Sequence, residues 1–262
     1  MLGAIIGDII GSPYEFGSDK TKDFLLFAPG CCPTDDSVMT IAVGTTCAQA
    51  DLYDEDSFKR VLCECMRELG RMYPDAGYGK RFYQWLMNED DIAYGGNTNG
   101  AAMRVSPVAW VAGSLYQAEE LAAWTAEITH DSPEGIAGAQ AVAAAIYLAR
   151  TGADKDEIRE YIEANYYDLD FTLDEIRPSY SHDMTCEGSV PQAIVAFLEA
   201  DDYEDAVRNA VSLGGDGDTQ ACIAGAIAEA YFGIDEEIQE NGLACMDDTL
   251  RDYYFGYADV LY

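Results

Sequence analysis

Four stretches of this chain, residues 2–10, 37–50, 136–149 and 219–232, have helical composition, almost no polar face, and many Gly and Ala residues. A helix that is apolar all round has to be buried. Four of them predict a centre of small-residue helices packed on one another, with Gly3 and Gly7 allowing close backbone approach. Residues 56–73 place Phe58, Val61, Leu62, Cys65, Met66 and Leu69 at helical spacing, which is ordinary amphipathic packing. Residues 78–87, 117–128, 155–166 and 189–200 add helices, and from 235 onward there is a last acidic helix and a Tyr-rich tail. Residues 101–112 form another, which Pro107 kinks or splits. Residues 17–33 and 167–187 read as irregular, and no run alternates with period two for long enough to make a strand. With no repeat and no linker, the reading is a single all-α domain over residues 1–262.

Two of the buried helices begin on acids. Leu213-Gly214-Gly215-Asp216-Gly217-Asp218-Thr219 opens one, and Thr34-Asp35-Asp36-Ser37 opens another. Asp and Thr are common helix caps, and either loop alone is explained that way. Two such starts on separate buried helices favour a second reading. Thr34, Asp35, Asp36, Asp216, Asp218 and Thr219 offer six hard oxygen donors, a set that suits Mg²⁺, Mn²⁺ or Ca²⁺. Such a set can hold a pair of ions roughly 3.5–4 Å apart. A calcium-binding EF-hand is excluded, because the twelfth residue from Asp216 is Ile227 and not a bidentate Glu.

Three further features carry candidate chemistry. Glu15 follows the first buried helix between Tyr14 and Phe16, where desolvation would raise its pKa and suit acid–base work; the plain alternative is a surface glutamate in a turn. The loop Gly95-Gly96-Asn97-Thr98-Asn99-Gly100 opens a helix and offers backbone amides to a phosphate, although taken alone it is better explained as an ordinary loop. It is neither a Walker loop nor a Rossmann fingerprint. His130 sits between buried helices, either as a ligand contact or as a satisfied structural histidine; His182 has no evident role.

The charge excludes several partners. Fifteen Lys and Arg stand against 48 Asp and Glu, a net −33, so the basic footprint of nucleic-acid or acidic-membrane binding is absent. No apolar run reaches membrane-spanning length. The start meets an acid at Asp8 and lacks a basic leader region. Eight cysteines in a chain of this length read as reduced, mostly buried thiols, and the expected location is the cytoplasm. Oligomeric state is not encoded legibly.

In combination, Gly3-Ala-Ile-Ile-Gly-Asp-Ile-Ile-Gly11, Thr34-Asp35-Asp36-Ser37, Asn99-Gly100-Ala-Ala-Met-Arg-Val105, Thr129-His130 and Asp216-x-Asp218-Thr219 resemble the ADP-ribosylglycohydrolases, the dinitrogenase-reductase-activating and ADP-ribosylhydrolase group. The resemblance runs nearly the full length. It implies a compact all-α fold and a centre of two Mg²⁺ or Mn²⁺ ions held by Thr34, Asp35, Asp36, Asp216, Asp218 and Thr219. It further implies that Gly95, Gly96, Asn97, Asn99, Gly100 and His130 contact ADP-ribose, and that Glu15 is the acid–base group with Asp36 beside it in catalysis. The activity implied is hydrolysis of the bond joining ADP-ribose to a modified protein or small-molecule acceptor. Departures are Gly217, where a larger polar residue is common, and Gly-Asn-Thr-Asn-Gly in place of a shorter glycine-asparagine-glycine signal. With so few basic residues, backbone amides and metal, not arginines, are expected to hold the diphosphate. The alternatives are an ADP-ribose binding module without turnover, a two-metal phosphoesterase, and a purely structural helical protein. Which acceptor is cleaved has no code in the loops.

Overall fold

The computed structural model describes residues 1–15, 17, 20–90 and 92–261. In chain order its α-helices are α1 (Leu2–Gly11), α2 (Asp35–Gln49), α3 (Glu55–Met72), α4 (Lys80–Met87), α5 (Ser106–Val111), α6 (Leu115–Glu127) and α7 (Pro133–Arg150). There follow α8 (Lys155–Asn165), α9 (Leu173–Ile176), α10 (Cys186–Leu198), α11 (Tyr203–Val211), α12 (Gly217–Phe232), α13 (Glu236–Cys245) and α14 (Asp248–Leu261). Among the described residues the nearest thing to a sheet is one isolated antiparallel bridge between Thr98 and Thr185. The fold is all-α, as the periodicity predicts, and among the described residues no helix is long and apolar enough to cross a membrane.

Helices α1 and α12 form the axis. A Cβ on Gly3 would sit 2.5 Å from the Gly225 carbonyl oxygen, one on Gly7 2.1 Å from that of Ala221, and one on Gly11 2.5 Å from Asp218 Cα. As α1 ascends, α12 descends, so the pair is antiparallel with backbone laid on backbone. The start of α12 therefore lies at the end of α1. At the other end Glu229 closes the pair, accepting from the Leu2 and Gly3 amides at 3.2 and 2.8 Å and pairing with the Met1 amine. Helices α10, α11 and α7 pack around α12, and α2 lies against α1, α3 and α14.

Several boundaries differ from the sequence reading. Residues 101–112 are not one helix: a 3-10 turn (Asn99–Ala101) precedes α5, whose first turn holds Pro107, where a missing N–H costs nothing. The stretch 167–187 contains α9, and α10 begins at Cys186 because Thr185 accepts from the Gly188 amide, leaving Pro191 inside the helix. The acidic tail is two helices, separated by an extended Met246 and restarted by Asp247, which accepts from the Leu250 amide at 2.9 Å. Phe16 and Asp19, part of the expected aromatic pair and loop, lie outside the described residues. Among the described residues no cysteine is in a disulfide; five of the eight are buried, Cys31 and Cys245 are half-buried and Cys32 is exposed.

Candidate active site

The antiparallel register brings together three acid-bearing segments. Asp8, wholly buried on α1, reaches the start of α2: its carboxylate accepts from the Thr34 amide at 2.9 Å, the Thr34 hydroxyl at 2.6 Å, the Ser37 amide at 3.0 Å and the Ser37 hydroxyl. Asp8 takes the Thr34 and Ser37 amides, Thr34 Oγ1 takes that of Asp36 and Ala76 O that of Asp35, so neither Asp35 nor Asp36 caps α2 with its side chain. Asp36 is buried, and its Oδ2 lies 3.4 Å from Thr34 Oγ1 and 3.3 Å from Thr219 Oγ1. Its Oδ1 is buried without a partner among the described residues. Asp216 likewise makes no cap bond at α12; its Oδ2 accepts from the Asn99 side-chain amide at 2.7 Å.

Asp8, Asp36 and Asp218 place one oxygen each within 4.8 Å of one another, and so do Glu15, Asp216 and Asp218. Asp218 belongs to both groups. Asp35 is half-buried at the cavity wall beside Gly77, and its backbone amide is donated to Ala76 O at 2.8 Å.

Crowding of these acids away from water shapes their protonation. Burial pushes Asp8 up to about 6, against the opposing hydrogen bonds from Ser37 and Thr34. Burial, then Asp216 and Asp8, raises Glu15 to about 7, while His182 draws it back. Burial, with Asp8 and Asp216, raises Asp35 to about 8. Asp36 and Asp218 are raised well above the carboxylate range by burial and by the surrounding acids. Glu15 thus owes its shift to burial and carboxylate neighbours; Tyr14 turns away to stack near Phe24 and donate to Leu25 O at 2.7 Å.

The acids floor a cavity of about 380 Å³. Its wall includes Gly96, Asn97, Thr98, Asn99, Gly100 and His130. The loop folds tightly on the imidazole: a Cβ on Gly96 would sit 2.6 Å from His130 Cδ2. Not all of its amides are available. Gly95 donates to Asp131 at 2.7 Å, Gly96 to Thr129 O at 3.4 Å and Asn99 to Met184 O at 2.8 Å. The amides of Asn97 and Thr98 make no bond among the described residues. Gly95 has φ +64° and does not line the cavity. Lys80, Arg81 and Arg104 line the cavity, so cations stand at this site in a chain that has few of them. Few cations in the chain does not mean few here.

The whole chain, residues 1–262, matches the family ADP-ribosylglycohydrolase. It belongs to that family. The human ADP-ribosylhydrolase ARH3 is 25% identical over 320 residues, covering 90% of this chain and 85% of its own length. An uncharacterized protein of Archaeoglobus fulgidus is 27% identical, over 90% and 88% of the two chains. The ADP-ribosylarginine hydrolase Tri1 of Pseudomonas putida is 26% identical, over 89% of this chain and 70% of its own. Among solved structures, an ADP-ribosylglycohydrolase-related protein complex shares the fold with a TM-score of 0.70 at 23% identity, covering all of this chain and 96% of the other.

As a member of this family the chain is a hydrolase, and the donors themselves show that its acids fit a divalent cation. The set is all oxygen. A buried, unpartnered Asp36 Oδ1 amid raised carboxylates is a charge arrangement that a cation relieves. Sequence reasoning missed Asp8, although one acid inside an otherwise apolar helix was signal enough. It also passed over Arg104, which stood inside a quoted motif without a role, and read the loop holding Thr98 for its backbone amides and not for the Thr98 hydroxyl. His182, left without a role, lies beside Gly215, where a Cβ would approach its Cα to 3.0 Å.

Proposed function

We propose that this protein cleaves the glycosidic bond between ADP-ribose and a modified protein or small-molecule acceptor, releasing ADP-ribose, in a reaction that depends on two Mg²⁺ or Mn²⁺ ions. The observation that carries the reading is the double carboxylate cluster sharing Asp218 beneath the cavity walled by the Gly96–Gly100 segment and His130. Family membership and relatives named as ADP-ribosylhydrolases support the substrate class.

Thr34, Asp35, Asp36, Asp216, Asp218 and Thr219 would hold the ions, with Asp8 anchoring the Thr34 loop from behind. Divalent ions held there would supply positive charge to polarise nearby substrate oxygens. The rest falls to the chain's own groups. Glu15, raised to about 7 in the metal-free site by burial and its acidic neighbours, is the carboxyl set beside Asp216 and Asp218 to pass a proton to the leaving group or take one from water. Asn99 orients the Asp216 carboxylate through its side-chain amide. The free amides of Asn97 and Thr98 and the nearby Lys80, Arg81 and Arg104 favour the anionic diphosphate. Reduced thiols fit the cytoplasm, and the net charge of −33 argues against direct nucleic-acid binding.

Calorimetric titration of ADP-ribose, with Mn²⁺ or Mg²⁺ and then with chelator, tests the site; an Asp216→Ala, Asp218→Ala variant serves as control. Metal-dependent binding lost in the variant is the expected result. Release of ADP-ribose from a panel of N- and O-linked substrates then tests turnover. Binding without release from any substrate would mean a binding module; release of phosphate or nucleotide would mean a phosphoesterase.

A further inference from the structure

We propose that the Thr98 hydroxyl donates a hydrogen bond to a diphosphate oxygen of the ligand, and that Arg104 holds it in that role through a relay of Thr129 and His130. This rests on reading the cavity as an ADP-ribose site.

The relay begins with an anomaly. In a chain with 48 acids and 15 Lys and Arg, the guanidinium of Arg104 is wholly buried and bonds to no carboxylate. It donates instead to Thr125 O at 2.6 Å and to Thr129 Oγ1 at 2.8 Å, and its Nε is buried without a partner among the described residues. Arg104 lines the cavity.

Thr129 is fully buried, so its own hydroxyl proton needs an acceptor. The acceptor at hand is His130 Nδ1, 2.8 Å away. A proton on Nδ1 would set two donors face to face or strand the hydroxyl proton in a dry site. Nδ1 is therefore the bare nitrogen. Burial together with Arg104 and Arg81 keeps the imidazole neutral, so its single proton is on Nε2. Nε2–H then donates to Thr98 Oγ1 at 2.9 Å.

Thr98 Oγ1, having accepted, has its own proton left to give. Among the described residues nothing accepts it, and the Thr98 amide is free as well. Thr98 is half-buried and lines the cavity. Each bond from Arg104 to the cavity runs donor to acceptor in the same sense, so each polarises the next. The end of such a chain is a donor backed by a buried cation, which suits an oxygen that only accepts. A phosphate oxygen is of that kind. Thr98 is thus a binding residue, and Arg104, Thr129 and His130 are positioning residues behind it.

Two measurements test the relay. The chain has only two histidines, so ¹⁵N imidazole spectra resolve both, with a His182→Gln sample for assignment. At neutral pH His130 should be the Nε2–H tautomer in the wild type and in Thr129→Ser, and a mixture of tautomers in Thr129→Val. Calorimetry with ADP-ribose should find Thr98→Ser within about twofold of wild type and Thr98→Val weaker by about tenfold, the worth of one charge-assisted hydrogen bond. Thr98→Ala replaces the valine variant if that substitution disturbs the bridge to Thr185. A wild-type His130 protonated on Nδ1, or Thr98→Val and Thr98→Ala binding as tightly as wild type, overturns the proposal. A wild-type protein that binds no ADP-ribose removes the reading of the cavity, and the ligand of Thr98 with it, while the tautomer still reports whether the relay exists.

Discussion

Gly7 of α1 faces the backbone of Ala221 on α12 with so little room that a Cβ on residue 7 would sit 2.1 Å from the Ala221 carbonyl oxygen. The obstacle is backbone, not a flexible side chain. Gly7→Ala must push the two central helices apart, and since Glu15 follows α1 while Asp216 and Asp218 open α12, the same shift pulls the acids out of register. Overpacking in a core costs about 1–3 kcal/mol, and contact with backbone belongs at the upper end. Denaturant titration should show that loss in Gly7→Ala, together with weaker metal binding. A variant of wild-type stability would mean that the helices are less closely seated.

Asp8 has two separable duties. It accepts from four donors at the start of α2, and it contributes charge to the acid cluster. Asp8→Asn keeps an acceptor for the Thr34 and Ser37 amides and removes the charge; Asp8→Leu removes both. The leucine variant should lose at least about 2 kcal/mol of stability from stranded buried donors, and the asparagine variant much less. Both should bind Mn²⁺ more weakly than wild type in titration calorimetry. Equal stability losses in the two would show that the charge, and not the capping, holds α2.

The architecture was legible because an apolar face leaves a periodic trace, and helices with no polar face at all can only be central. The starts of α2 and α12 were legible for a related reason: acids at the mouth of a buried helix stand out. What stayed hidden depends on partners distant in sequence. Asp8 caps a helix that starts 27 residues later, which no local pattern reports. Arg104 gains its meaning only when Thr129 and His130 are folded beside it. The boundary errors near Cys186 and Met246 are local capping chemistry, where Thr185 and Asp247 start a helix irrespective of hydrophobic period, and near Pro107 the helix restarts with proline in its first turn.

The raised carboxylates give the metal-free protein a defined pH dependence. Asp8, Glu15 and Asp35 have folded-state values of about 6, 7 and 8, above the ordinary 3.8 to 4.5, so the folded state binds protons more tightly than the unfolded chain. Their stabilising contribution is fully present below pH 4 and is lost as pH rises through 6 to 8. In chelator, Tm should fall across that window. Divalent metal needs deprotonated ligands and binds the folded state, so the rise in Tm on adding Mn²⁺ should grow with pH. Asp36→Asn should flatten both trends, which separates the cluster from the general repulsion of a chain of net charge −33. A chelated protein whose Tm is flat from pH 5 to 8, with no response to Mn²⁺ at pH 8, would rule out this centre.

Glu15 is half-buried and linked to the cluster through Asp216 and Asp218, yet its neighbours leave it able to gain and lose a proton near neutrality. Glu15→Gln retains the size and removes the titration. If the residue moves a proton in the reaction, turnover should fall by about 10² or more while the affinity for ADP-ribose changes by less than about threefold. The pH–rate profile of the wild type should carry a limb that the variant lacks: activity falls above the limb if the proton is given to the leaving group and below it if taken from water. Lost affinity in parallel with lost turnover would instead make Glu15 a ligand of the cation or the sugar. An unchanged rate would move the acid–base role to another carboxylate in the cluster, with Asp35 the next to test because its value also lies near neutrality.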